Sequence, residues 1–308
     1  MKRVNKLREF TSYLYHLIKF QLNSSKRNDI IVKPMSETID FILSNNCSLG
    51  RYGDGELNMV RNYIESCNLY TSEFQKYDPL MGKRLFEILQ EGGNEEFNFY
   101  VGLPSCMYTE GTNKLTRKAA TFWRYYSDKN VMTFHQIIPK NKFFLDTQIS
   151  RFYLDLKKKK DCHKYFEYLQ KIWDRRNVLI IEGEKTHFGV RNNLLSNSAS
   201  IRRIIAPATN AFQKYNEILE GVKQEVHKDD LILCSLGMTA TILAYDLAKA
   251  GYQTIDIGHI DIEYEWMLMN AKEKVPVHGK YTNEAENGKE VKEESNSEYL
   301  NSIIKKIL

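Results

Sequence analysis

Hydrophobic positions along the chain recur at two spacings, and their alternation predicts the architecture. Leu7, Phe10, Leu14, Leu17 and Ile18 stand at helical intervals within residues 4–22. A polar joint follows over 23–28, and Pro34 opens a helix that ends near Ser44, just before Asn45-Asn46. Further helices are predicted over 57–64, 79–91 (stopped by Gly92-Gly93), 115–126, 165–173, 211–226 and 239–250. A first strand leads into Gly50, and short apolar or β-branched runs lie at 97–103, 142–147, 177–181, 202–206, 231–235 and 254–257. Strands alternating with helices in this way predict an α/β fold, Rossmann-like, with a mostly parallel sheet and helices on both faces.

From Ala271 onward the chain turns to Glu, Lys, Asn and Ser. Residues 284–298 are expected to be flexible and 299–308 to dock as a final helix. Three segments result: a basic amphipathic arm over 1–28, a single catalytic-sized domain over 29–270 and a polar tail over 271–308. The tract 157–160 reads as a solvated basic run.

Composition narrows the class. With 42% hydrophobic and 27% charged residues in 308, the chain has the balance of a soluble globular protein. No apolar run approaches the roughly 20 residues of a membrane span, and no secretory leader is visible. Five scattered cysteines form neither a CxxC pair nor a zinc spacing, which predicts reduced thiols and a cytoplasmic setting. Residues 1–28 carry a net charge of +6 out of +5 for the whole chain, so the body is near −1. That excludes a broad nucleic-acid surface. It also predicts peripheral contact of the arm with an anionic membrane, at its inner face.

Four predicted strand exits carry unusual chemistry, and ligands of open α/β sheets bind at such exits. The first is Arg51-Tyr52-Gly53-Asp54-Gly55-Glu56. In extended backbone Asp54 and Glu56 share a side and converge on one cation, magnesium or manganese by their hard oxygens. The second, 182–193, offers Gly183, Lys185, Gly189, Arg191 and Asn193 to phosphate and ribose. The third is the Gly237 turn, whose backbone N–H groups suit an anion, although neither GxGxxG nor GxxxxGK[ST] occurs. The fourth, 258–266, places His259, Asp261, Glu263 and Glu265 at alternate positions, on one side if the segment is a strand.

Several of these motifs, in this order, resemble the glycosyltransferases of GT-D fold type, a bacterial family long catalogued as a domain of unknown function. The resemblance covers about residues 35–270. It rests on 51–56, on Glu182-Gly183 with Gly189 and Arg191-Asn192-Asn193, on 203–207 with Asn210-Ala211, and on 244–247 running to 256–266. It implies a UDP-sugar donor, commonly UDP-glucose, and manganese at an Asp-x-Glu motif, matched here by Asp54 and Glu56. It also implies a role in building bacterial surface glycans, including those on serine-rich glycoproteins. Asn192 stands where the family typically has glycine, and Asn193 where aspartate is frequent.

The resulting expectation is a metal-dependent transferase moving a hexose from a UDP-sugar to a glycan or glycoprotein acceptor. Arg51, Gly53, Gly183, Lys185, Gly189, Arg191, Asn193, Asn210 and Gly237 would contact the donor. Asp54 and Glu56 would hold the metal, and His259, Asp261, Glu263 or Glu265 would supply the base. A metal-dependent phosphoesterase and a non-catalytic glycan-binding scaffold are the alternatives that the same residues allow.

Overall fold

The computed structural model describes the backbone of residues 2–70, 72 and 74–308, and side chains from Thr11 onward within that range. Helices α1 (Lys2–Leu22) and α2 (Ser24–Asn28) precede β1 (Ile31–Val32), α3 (Met35–Asn45) and β2 (Ser48–Arg51). Then come α4 (Asp54–Ile64), α5 (Pro79–Glu91), β3 (Phe99–Leu103), α6 (Arg117–Ile137), β4 (Phe143–Asp146) and α7 (Cys162–Gln170). The second half runs β5 (Asn177–Gly183), β6 (Ser200–Ala206), α8 (Tyr215–Glu225), β7 (Leu231–Ser235) and α9 (Met238–Lys249). It closes with β8 (Thr254–Asp256), α10 (Ile260–Leu268), α11 (Ser297–Ser302) and β9 (Ile303–Lys306).

Among the described residues the nine strands form one sheet in the order β1-β4-β3-β2-β8-β7-β5-β6-β9, every pair parallel. Its central strands are apolar on both sides. Leu179 and Ile181 point into the layer that holds α4, α5, α6, α8 and α9, whereas Val178 and Ile180 point into the layer that holds α3, α7 and α10. The chain leaves β2 towards β3 on one side, and leaves β8 towards β9 at the opposite edge. A crevice therefore opens between the carboxyl ends of β2 and β8.

Local chemistry sets the helix ends that flank it. The Asp78 carboxylate accepts from Leu80 N and Met81 N at 2.8 and 3.1 Å, with Pro79 in the first helical position, so α5 starts there. Gly92, at φ +67°, ends it.

Four expectations are corrected. The 23–28 joint holds the short α2. The helix expected from Leu57 begins at Asp54, so the two candidate metal carboxylates lie in its first turn. The segment after β8 is helical, not a strand. The tail is part of the fold: α11 is only six residues long, and β9 pairs with β6 as the last strand of the sheet.

Glu284 and Glu294, expected in a flexible stretch, are ion-paired to Arg151 and Arg191. Leu7 and Phe10 of the arm lie outside the described side chains. Farther along α1, His16 meets Asp128 of α6 at 3.1 Å and Phe20 is buried, while Leu14, Tyr15, Ile18 and Leu22 stay exposed. That open stripe, beside the basic arm, is the surface on which the expected lipid contact depends. No described helix is long and apolar enough to cross a membrane.

One joint between the tail and the sheet is built on a buried charged pair of the sheet itself. Arg203 of β6 donates to Glu182 Oε1 of β5 at 2.6 Å and to Ser302 Oγ at 2.9 Å, with the Tyr299 ring 4.9 Å from its guanidinium. Glu182 is fully buried and also accepts from Phe188 N at 2.7 Å. Replacing Arg203 by Met leaves that carboxylate uncompensated, and the expected loss is about 3–5 kcal/mol. Urea unfolding of Arg203→Met measures it; a loss below about 1 kcal/mol would contradict the account.

Candidate active site

A cavity of about 780 Å³ occupies the crevice, reached by the carboxyl ends of β2, β7 and β8 and by the start of α4. Its floor is an ion pair. Arg51, the last residue of β2, donates through Nε to the Asp256 carbonyl at 2.8 Å and through Nη2 to Asp256 Oδ1 at 3.2 Å. Its Nη1 reaches Thr147 O at 3.0 Å and Ser150 Oγ at 2.6 Å. The guanidinium thus ties β2 to β8 and to the turn after β4. Most of its donors are spent on protein, which limits what the residue expected to meet a diphosphate has left for one.

Asp54 and Glu56 both border the cavity. On a helix, however, residues two apart stand about 200° around the axis, so they do not share a side as extended backbone would have placed them. Their roles diverge. Glu56 Oε2 accepts from Gly53 N at 2.8 Å and caps its own helix. Burial, with the charge of Asp256 nearby, pushes its carboxyl up to about 7. Asp54 is open to the cavity, and no side chain of another described residue bonds its carboxylate. The dense protein around it raises its pKa, with Glu284 adding to the rise and Arg151 and Lys274 opposing it.

No cluster of three or more His, Cys, Asp or Glu side chains among the described residues forms a closed metal site. The donor set nonetheless fits a hard divalent ion that keeps part of its coordination for substrate. Asp54 offers a carboxylate that no other described residue bonds, while Glu56 is engaged in its helix cap.

Beside Asp54 lies a group that sequence spacing did not reveal. Arg151 follows the 3-10 turn 147–150, and its guanidinium donates to Glu284, which Lys274 also meets. His259 Nε2 lies 3.9 Å from Glu284 Oε1. Although burial acts the other way, Arg151, His259 and Lys274 hold the Glu284 carboxyl well below the usual carboxylate range. His259 is pushed down to about 4, first by burial and then by Arg151, with Glu284 only partly offsetting this. Residues 151, 274 and 284 come from three separate segments, so no local pattern could have announced them.

Helix α10 separates the four candidates expected on one side of a strand. Its start leaves His259 at the cavity. Asp261 and Glu265, one turn apart, share Asn192 Nδ2 at 2.8 and 2.7 Å, and Lys280 Nζ lies 2.6 and 3.4 Å from them. Glu263 points elsewhere: its Oε2 accepts from Tyr153 N and Leu154 N, both at 2.9 Å. These three acids are occupied in holding α10 to the 151–154 and 192 loops. Asn192, which departs from the family pattern, is the hinge of one of those contacts.

Of the expected donor contacts, Arg51, Gly53 and Gly237 border the main cavity, whereas Gly183, Lys185, Gly189, Arg191, Asn193 and Asn210 do not. Lys185 borders a neighbouring cavity of about 450 Å³ that shares Tyr281 with the first. The loop after β5 reaches the main cavity through Thr186 and Phe188, and its expected polar contacts turn elsewhere. Arg191 pairs with Glu294 at 2.9 Å, and Asn193 accepts from the Tyr264 hydroxyl. Gly189, at φ +70°, is required by Leu195, whose Cδ1 would be 2.8 Å from an added Cβ. Asn210 shapes the wall from behind: its Oδ1 accepts from Lys76 N at 2.9 Å and its N donates to Phe74 O at 3.0 Å. Phe74 in turn lies over Gly237, where a Cβ would sit 2.3 Å from the ring.

Comparison with known proteins places this geometry. A family profile described as glycosyltransferase GT-D fold matches residues 49–285. The chain is 36% identical over 284 residues to the glycosyltransferase GlyD of Streptococcus pneumoniae serotype 4, covering 91% of this chain and 33% of that protein. It is 32% identical over 287 residues to a probable glycosyl transferase Gly of Streptococcus gordonii, covering 93% and 40%. The chain thus spans a third to two fifths of the curated relatives it matches. A solved domain of unknown function 1792, described as having a distinct glycosyltransferase fold, superposes with a TM-score of 0.83 at 35% identity over 93% of this chain and 99% of that one. Another, described as a new glycosyltransferase from Streptococcus sanguinis, gives 0.82 at 32% over 91% and 100%.

The depressed pKa of His259 has a direct readout. Its neutral form is favoured by the fold, so the stability it contributes is present above the unfolded value near 6.5 and is lost as pH falls from there towards about 4. In an NMR titration the His259 ring is expected to show its midpoint near pH 4. A midpoint at or above 6.5 would contradict the half-buried, cation-facing environment.

Proposed function

The chain belongs to the glycosyltransferase GT-D fold family, and on that premise we propose that it transfers a hexose, glucose favoured, from a UDP-sugar to a bacterial surface glycan or a glycoprotein-linked glycan. The supporting observation is Asp54: an unbonded carboxylate at the start of a helix, facing a cavity at the sheet's switch point and flanked by Arg151 and Lys274. A carboxylate that simply served the fold would be paired, as Asp261 and Glu263 are.

Asp54 would hold a divalent ion, manganese favoured and magnesium next, which would supply the positive charge that neutralises the leaving diphosphate, while Glu56 caps the helix that presents Asp54. The α4 amino terminus adds its own positive end to the same place. Arg151 and Lys274 offer further charge once their hold on Glu284 is exchanged for phosphate oxygens. Arg51 acts from below, fixing β2 against β8 so that the start of α4 and His259 keep their spacing.

The anomeric carbon loses its bond to the β-phosphate oxygen, and UDP leaves with the electron pair. The acceptor oxygen bonds to that carbon, and its proton passes to a base. Of the four expected bases, His259 and Asp261 border the cavity; Asp261 is held by Asn192 and Lys280, which leaves neutral His259 to take the proton.

Asp54→Asn is expected to lower kcat/KM for UDP-sugar turnover about 100- to 1,000-fold, the scale of losing one key charge contact in a transition state. It should also abolish the manganese-dependent part of UDP binding in calorimetry. Turnover near that of the unaltered chain, or UDP binding indifferent to manganese before and after the change, would refute the assignment.

A further inference from the structure

The cavity has two aromatic ends of different polarity. At one end Phe74 and Tyr281 approach with ring centroids 6.2 Å apart, in the company of Ser72, Thr186 and Asn283. At the other, Phe122 and Trp123 of α6 line the wall beside Asp155. Phe122 is 44% exposed, whereas Trp123 and Tyr126 behind it are buried. Phe122 stacks on Tyr126 at 6.0 Å and 23° and meets Trp123 edge-on at 5.2 Å, so it is a fixed platform with one open face.

This end is built. The Asp155 carbonyl accepts from Thr116 N at 2.7 Å, and Lys157 N donates to Lys114 O at 3.0 Å, pinning the Asp155 loop to the start of α6. The Tyr126 hydroxyl donates to Asn58 Oδ1 at 2.9 Å and lies 3.3 Å from the Asp54 carbonyl, which registers the aromatic wall against the helix that carries Asp54. The Asp155 carboxylate itself has no hydrogen bond from another described residue, and it borders the cavity.

Resting on the reading of the cavity as a glycosyltransferase site, we propose that Phe122, Trp123 and Asp155 form the acceptor-saccharide subsite. A pyranose presents an apolar C–H face, which an open aromatic ring covers, and a rim of hydroxyl groups, which donate hydrogen bonds. A carboxylate accepts only, so Asp155 matches hydroxyl donors. A uracil edge carries two carbonyl acceptors and one N–H. The neutral hydroxyl and amide residues beside Phe74 and Tyr281, which are Ser72, Thr186 and Asn283, match that pattern better. The two ends therefore divide the ligands: nucleobase towards Phe74, acceptor sugar towards Phe122.

The test uses the full chain with manganese and UDP, and as acceptor probes the methyl β-glycosides of glucose, galactose and N-acetylglucosamine. Saturation-transfer NMR measures glycoside affinity and calorimetry measures UDP affinity. The proposal expects at least one glycoside to bind the unaltered chain. It expects Phe122→Ala and Asp155→Asn each to weaken that glycoside about tenfold while UDP affinity changes less than twofold. Phe122 is exposed, so its removal leaves the core intact, and circular dichroism checks this. A tenfold loss of UDP affinity in Phe122→Ala would overturn the proposal by assigning the platform to the base. Unchanged glycoside affinity in both variants, or no glycoside bound by the unaltered chain while UDP binds, would overturn it and leave the donor reading standing. Absence of manganese-dependent UDP binding in the unaltered chain would strike the donor reading itself, and the acceptor subsite with it.

Discussion

A single charge pair under the crevice sets the terms for everything above it. Asp256 is almost wholly buried at the end of β8, where an unpaired carboxylate would be strongly disfavoured. Arg51 meets it from the neighbouring strand, Thr241 Oγ1 donates at 3.0 Å, and Gly258 N at 3.1 Å. The guanidinium fills the space below residue 258 so completely that a Cβ there would lie 1.8 Å from Arg51 Nη2. Only glycine fits, at φ +51°, and the turn it permits delivers His259 to the cavity and starts α10. The same buried acid helps to raise Glu56, so the pair under the floor reaches the chemistry on it.

Above that floor the carboxylates sort themselves by what they already bind. Asp261 and Glu265 are satisfied by Asn192 and Lys280, Glu263 by two backbone N–H groups, and Glu56 partly by the cap of its helix. Asp54 remains. Glu284 is the instructive contrast, a carboxylate resting on the two cations closest to Asp54 and held ionised there. On the proposed reading, a diphosphate entering the site would compete with this acid for Arg151 and Lys274, which would link donor binding to the position of the segment that carries Glu284.

The strands were legible because most are apolar on both faces, and 177–181 and 231–235 read as continuous buried runs bounded by polar turns. The segment after β8 misled for a physical reason. Ile260, Ile262, Tyr264, Trp266 and Met267 are all buried, as are Asp261 and Glu263, so α10 is buried nearly all round and its 3.6-residue period is hidden. The acids at every second position then imitated a strand. Asp54 and Glu56 follow a strand as expected, but the glycines around them start a helix rather than an extended turn. Arg151, Glu284 and the Phe122 platform stood in no motif, since only the folding of distant segments brings them to the crevice. Tail and sheet were separated in the sequence for the opposite reason: β9 is an edge strand, half polar and four residues long, too slight to register.

The account turns on Asp54 being a ligand of a divalent ion that UDP shares. A crystal grown with UDP and manganese, measured near the manganese absorption edge, tests this directly. The account predicts one strong anomalous peak in the β2–β8 crevice, at bonding distance from an Asp54 oxygen and from the diphosphate. Clear density for UDP with no manganese at Asp54, or a manganese peak bound away from that carboxylate, would contradict it.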